Sequence, residues 1–287
     1  MPTSIRRSWF IQEMAKRTSL MVQKGWGQHP NGSISIRLLF EDLEPYEGCL
    51  IAGEKQSVGD RILGVGGQYY LVTAWRDALR GPPLNPEESL TILRVSPEGD
   101  FFKPLWGGRE TGIPTAEIAA QLRTQDLRQR VSLGRNRVMV HCAPSNLTAL
   151  TSLPDISPAR ITRALWEMNS QCLKVCPDGV GVMRSTSAGM AAVGISAAES
   201  MRKHRITLWP SNGIFAGGTD LEEAFELIET LESAAALVLE AISGGGPKQF
   251  VQNREMRALA ENFQLKPFAP AMELDAWFNP RGEGKNG

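Results

Sequence analysis

The stretch Val138-Met139-Val140-His141-Cys142-Ala143-Pro144-Ser145-Asn146 holds the chain's most suggestive chemistry. A histidine closes an apolar run, just before a proline that opens a helical segment, which is where α/β folds commonly place active sites. On a strand, residues two apart share a face, so His-x-His is a natural two-ligand grip for a metal. Here the second position is Ala143, and Cys142 between them points to the opposite face. A lone histidine at a strand end is more often a packed, hydrogen-bonded residue than a ligand, and both readings stay open. Glu117, in Pro114-Thr115-Ala116-Glu117, stands at the start of a predicted helix. There an acid favoured by the helix dipole, with Thr115 as cap, competes with a carboxylate facing the same cleft as His141.

Other candidates carry less. Cys172 and Cys176 have no second pair to complete a zinc site, and with Cys49 and Cys142 they read as free thiols of a reducing compartment. Gly244-Gly245-Gly246 lacks the lysine and serine or threonine of a phosphate loop. Equal numbers of basic and acidic residues, 31 each, argue against a nucleic-acid or membrane-surface partner. No run approaches the roughly 20 apolar residues of a membrane span, and no apolar signal follows Arg6 and Arg7, so a cytoplasmic protein is expected.

The elements that must position these residues mix helix and strand throughout. Helix is predicted over 8–26, 116–130, 144–151, 158–172, 188–204, 220–242 and 254–263. In the longest of these, Leu221, Phe225, Ile228, Leu231 and Leu239 are the candidate core contacts. The alternation Ser33-Ile34-Ser35-Ile36-Arg37-Leu38 predicts a half-buried strand. Further strands are predicted over 68–73, 90–95, 101–106, 137–142 and 173–176, with a hairpin over 205–215 turning at Asn212-Gly213. Residues 41–60 read as irregular, and 281–287 as a disordered tail. The expected fold is α/β: one domain over 1–280, with a mostly antiparallel sheet covered by helices.

Ordered blocks along nearly the whole chain resemble the class II (zinc-dependent) aldolase and adducin family. They include Ser8-Trp9-Phe10, Lys24-Gly25-Trp26, Pro114-Thr115-Ala116-Glu117, Arg137 to Cys142, Asn146 to Leu150, Leu165-Trp166-Glu167, Pro177 to Gly181, Lys203-His204, Leu208-Trp209-Pro210 and Lys248-Gln249. The resemblance implies a three-layer α/β/α fold and a homotetramer with active sites near subunit contacts. It also implies reversible cleavage of a sugar phosphate, a ketose 1-phosphate, to dihydroxyacetone phosphate and lactaldehyde. Zinc held by three histidines would stabilise the enediolate while a glutamate moves protons.

Carried over by residue, the glutamate is Glu117 and the first zinc ligand is His141, but the other two ligand positions are Ala143 and Asn212. A methyl group cannot bind zinc and a neutral amide is a weak ligand for it, so zinc binding by this chain is in doubt. A second family glutamate falls on Gln171, which cannot titrate. The phosphate surroundings fall on Gly32, Ser33, Arg76 and Thr115; Ala74-Trp75-Arg76 replaces a small loop, and Ala116 replaces a serine. The expectation is therefore an aldolase-family protein with weakened, altered or lost activity. A non-catalytic oligomeric scaffold or ligand-binding protein is the alternative.

Overall fold

The computed structural model describes residues 4–27, 32–73, 85–108, 117–154, 156–184 and 188–277. In chain order the elements begin with α1 (Trp9–Gln23), β1 (Ser33–Leu38), α2 (Phe40–Leu43), β2 (Gln56–Ser57), β3 (Tyr69–Thr73), α3 (Pro86–Ser89), β4 (Leu90–Val95) and β5 (Phe101–Gly107). There follow α4 (Ile118–Val131), β6 (Val138–Cys142), α5 (Ser145–Leu150), α6 (Pro158–Met168), α7 (Gln171–Val175), β7 (Val180–Val182) and α8 (Met190–Ser200). The last are β8 (Ile206–Trp209), β9 (Gly213–Gly218), α9 (Leu221–Ser243), α10 (Asn253–Asn262) and α11 (Ala269–Glu273).

The strands form one nine-stranded sheet, ordered β2-β5-β4-β3-β1-β6-β9-β8-β7, among the described residues. Every pairing is antiparallel except β7 with β8. Helices cover both faces, giving the expected three-layer α/β/α arrangement. One face packs Ile34, Ile36, Val138, Val140, Ile214 and Ala216 against α1, α5, α6, α7 and α9. On the other face lie α4 and α8, which cross closely at Gly194: a Cβ there would come within 2.8 Å of the Ala120 Cα. That second face holds two apolar clusters, around Tyr70, Leu93 and Leu122 and around Met139, Trp209 and Phe215.

The long helix α9 follows from its pattern. Asp220 caps it, accepting from the Glu223 N–H at 2.8 Å, and Glu222 and Glu223 complement the dipole at its start. Leu221, Phe225, Ile228 and Leu231 are buried, and Leu239 packs against the same core.

Several expectations change. β1 is not half-buried: both faces are covered, because the serines of its alternation meet polar side chains of α4 instead of water. Residues 173–176 are not a strand but continue α7; the strand forms after the Pro177-Asp178-Gly179 turn, as β7. A short apolar run has no period of its own to decide helix from strand, and here burial of Cys172 and Cys176 on one side of α7 decides it. The helix expected over 158–172 breaks at Asn169, whose Oδ1 accepts from the Gln171 N–H at 2.9 Å and starts α7 afresh. The hairpin turns through Pro210, Ser211 and Asn212, with Gly213 already in β9. Residues 41–60 contain α2, a 3-10 turn over Glu44–Cys49 and β2. The helix expected over 188–204 is Met190–Ser200, leaving His204 beyond it. The tail 281–287 lies outside the described residues.

Candidate functional site

Strand alternation aims His141 at the α4 side of the sheet, while Val138, Val140 and Cys142 point to the α9 side. Its direct cross-strand neighbours are Ser33 on β1 and Phe215 on β9. The imidazole lies parallel to the Phe215 ring, centroids 4.5 Å apart, and tilted against Trp209 at 5.4 Å, so three rings form one cluster. Each ring nitrogen has an oxygen nearby. Nδ1 lies 2.8 Å from Glu117 Oε2, and Nε2 lies 3.4 Å from the Asn212 carbonyl oxygen. The side chain has no exposed surface.

Glu117 is the residue at the N-terminal boundary of α4, with φ −86° and ψ 0°. Thr115, its expected cap, lies outside the described residues. The Glu117 carboxylate accepts from His141, from the Ser33 hydroxyl and from the Gly32 N–H. Burial is the strongest single influence and opposes ionisation. The attraction and hydrogen bond of His141, with the Ser33 and Gly32 donors, outweigh it and hold the carboxyl below its ordinary range.

Behind this pair runs a row of side chains that reading single motifs did not reveal. The Ser33 hydroxyl also accepts from Gln121 Nε2 at 2.7 Å. Gln121 Oε1 accepts from the Ser35 hydroxyl at 2.7 Å, and that hydroxyl accepts from Gln125 Nε2 at 3.0 Å. Gln125 Nε2 also reaches the Ser35 and Arg137 carbonyls, each at 3.1 Å. The spacing explains the fit: four residues along a helix advance about 6 Å, and two along a strand advance about 6.6 Å. Glu117, Gln121 and Gln125 therefore stay in step with Ser33 and Ser35. The signal was present as polar residues at helical spacing beside serines at strand spacing, but neither line indicates alone that the other lies opposite.

The three positions that the resemblance assigns to zinc, 141, 143 and 212, lie close together. β6 and β9 stay in register up to Cys142 and Ile214, and a Cβ on Gly213 would come within 2.8 Å of the Ala143 Cα. Gly213, at φ 107°, is thus required both by its backbone angle and by this approach. Gly25, at φ 70°, ends α1 so that the Trp26 carbonyl accepts from the Ala143 N–H at 2.9 Å. The backbone keeps these positions together, but their side chains do not form a ligand set. The Asn212 Nδ2 donates to the Pro210 carbonyl at 2.9 Å, and Ala143 has only a methyl group, so His141 is the one imidazole at these positions. No group of three histidine, cysteine, aspartate or glutamate residues able to hold a metal occurs among the described residues. The residues present do not fit a resident zinc ion.

The other expected site residues are dispersed. The Gly32 N–H and Ser33 hydroxyl both point to Glu117, and Arg76 and Thr115, like Ala74, Trp75 and Ala116, lie outside the described residues. Gln171 is exposed at the first position of α7, in the helix layer opposite α4. His204 is buried elsewhere, with Nδ1 2.7 Å from the Asp178 carbonyl.

A family model described as "Class II Aldolase and Adducin N-terminal domain" matches residues 133–239, which hold β6, α9 and the His141 region. The rhamnulose-1-phosphate aldolase of Yersinia pestis (strain Pestoides F) is 39% identical over 271 residues, covering 94% of this chain and 99% of that protein. The chain belongs to the class II aldolase and adducin family. The fold agrees. The structure of a sugar-phosphate aldolase from Thermotoga maritima aligns with a TM-score of 0.71 at 24% identity, over 83% of this chain and 96% of that one. An L-fuculose 1-phosphate aldolase aligns at 0.57 with 18% identity, over 89% and 96%. No helix among the described residues is long and apolar enough to cross a membrane.

Proposed function

We propose that this chain is a protein of the rhamnulose-1-phosphate aldolase type that has lost zinc-dependent cleavage of L-rhamnulose 1-phosphate to dihydroxyacetone phosphate and L-lactaldehyde. It retains a homotetrameric fold that binds a sugar phosphate without breaking its carbon–carbon bond. The observation that carries this reading is that the two positions beside His141 hold the Ala143 methyl group and the Asn212 amide, whose Nδ2 donates to the Pro210 carbonyl. Without a metal, the electrons released by cleavage have no Lewis-acid acceptor, and nothing at 143 or 212 supplies one. The Glu117 carboxyl is held below its ordinary range, so a proton acceptor persists, but an acceptor alone does not stabilise an enediolate.

The test is a cleavage assay on untagged protein equilibrated with zinc, with the Ala143→His/Asn212→His double variant alongside. The wild type is expected to show no turnover of L-rhamnulose 1-phosphate, yet to bind it or dihydroxyacetone phosphate in calorimetry. Turnover by the wild type with stoichiometric zinc would reverse the proposal.

A further inference from the structure

We propose that the end of the sheet remote from His141 is a contact surface for a second copy of this chain, joined about a two-fold axis. β1 and β6 carry Ser33 and His141 at one end of the sheet; at the other stand the end of β1, the start of β6 and the last turn of α4. Four of the eleven large apolar side chains exposed among the described residues gather here: Trp9, Leu39, Phe40 and Leu133. Polar contacts tie them into one surface. The Arg137 guanidinium lies 5.5 Å from the Trp9 ring and bonds Asp42 of α2, the helix that Phe40 opens. Its Nε donates to the Arg37 carbonyl at 3.0 Å, and Arg37 Nη2 donates to the carbonyl of Gly134, the residue after Leu133.

Leu133 is the sharpest sign. It is 88% exposed, and its φ of 54° is left-handed. The cause is the way α4 stops: the Gly134 N–H donates to the Gln129 carbonyl at 2.7 Å, and the Leu133 N–H to the Arg130 carbonyl at 3.3 Å. That pattern puts Leu133 where helices most often carry glycine, because a Cβ strains a left-handed backbone. A leucine there bears the strain and gains no burial within its own chain; a covering partner offsets both. The charges fit a copy of the same surface. Glu41, Glu44 and Glu47 are exposed around Phe40 and have no ion pair with another described residue. Arg130 and Arg135 are exposed on either side of Leu133, Arg130 being paired with Asp126. A two-fold axis lays the acidic side of one copy on the basic side of the other. With 31 basic and 31 acidic residues in the chain, two copies also meet without net repulsion. This surface lies away from positions 141, 143 and 212. Cleavage and zinc assays therefore test the reading above, and particle mass tests this one.

The full chain is compared with Phe40→Asp and Leu133→Gly by sedimentation velocity over a concentration series. The wild type is expected to reach twice the mass of either variant, and each variant to need at least about 10-fold more protein to associate. High salt should loosen the wild-type assembly, because exposed charges are then screened. At a dilution where nothing associates, Leu133→Gly should melt no lower than the wild type, because glycine takes a left-handed backbone without strain. Weaker association without a weaker fold is the signature that a leucine kept for packing in its own chain would not show. Equal masses for the wild type and both variants overturn the proposal. So does a lower melting temperature for Leu133→Gly at that dilution. Should Phe40→Asp fail to fold, Leu133→Gly still decides.

Discussion

Two buried pairs of ionisable side chains in this molecule contrast in what surrounds them. In α6, Arg163 Nε lies 2.5 Å from Glu167 Oε1, with both side chains almost wholly buried. Asn253 Oδ1 and the Ala271 carbonyl accept from Arg163, and the Trp277 N–H donates to Glu167 at 3.1 Å. The Val251 N–H donates to the Glu167 carbonyl at 2.9 Å. Every one of these partners follows α9 in the chain, so the pair fastens the C-terminal segment to the α9-side layer. It lies four residues apart on one helix, the spacing that brings two side chains onto one face. His141 and Glu117 instead join a strand to a helix boundary, within reach of positions 143 and 212. A buried charge pair is therefore not in itself a sign of chemistry. The Arg163 pair is closed by remote backbone and amide groups and has nothing left to offer. The His141 pair instead lies beside positions 143 and 212, with the Asn212 carbonyl 3.4 Å from Nε2.

The contrast can be broken by removing one side chain from each pair. Glu167→Ala should have the largest effect, about 3–5 kcal/mol of stability, because it leaves Arg163 buried without its carboxylate. Denaturant unfolding measures the loss, and limited proteolysis should show earlier cutting within residues 251–277. His141→Ala should cost about 2–4 kcal/mol, from the lost ring packing and the stranded Glu117 acceptor. A loss as large as that of Glu167→Ala would mean the two pairs do equal structural duty. Ala143→His/Asn212→His sharpens the comparison: zinc affinity should rise by more than about 10-fold over wild type. Dialysis with elemental analysis checks it, and no gain in a folded double variant would mean that positions 141, 143 and 212 are not disposed to share one ion.

The smallest expected effect is a pH response away from both pairs. Burial, the largest influence on Glu223, raises its pKa, but the Thr219 donors and Arg205 outweigh it and hold the carboxyl below its ordinary value of 4.5. A carboxyl lowered on folding contributes stability in full above its unfolded value and loses it as the pH falls through the folded one. The difference in unfolding free energy between wild type and Glu223→Gln should therefore narrow as the pH is lowered from 5.5 towards 3. A constant difference over that range would show that the Thr219 and Arg205 contacts do not persist in solution.

Much of the fold was legible because hydrophobic period and turn residues act locally. β1, β3, β4, β5, β6, α1, α4 and α9 lie close to where spacing puts them. The errors fall where tertiary partners decide. Ser33 and Ser35 read as a solvent face, and became buried only because α4 offers Gln121 and Gln125 at matching spacing. Residues 173–176 carry too few turns to show a period, and their partner layer made them helix. At the site, the types at 117, 141, 143 and 212 were plain in the chain, as was the absence of two imidazoles.

By itself, then, the sequence determined the family, the order of most elements and the chemical inventory at the metal positions, because these depend on residue type and short-range spacing. Only the tertiary structure decided how that inventory is used. It brought 141, 143 and 212 together through the β6–β9 register while closing His141 against Glu117. It also aligned a helix and a strand so that five side chains behind His141 form one hydrogen-bonded row. Those outcomes depend on groups distant in the chain meeting where water is excluded, a condition that local spacing cannot express.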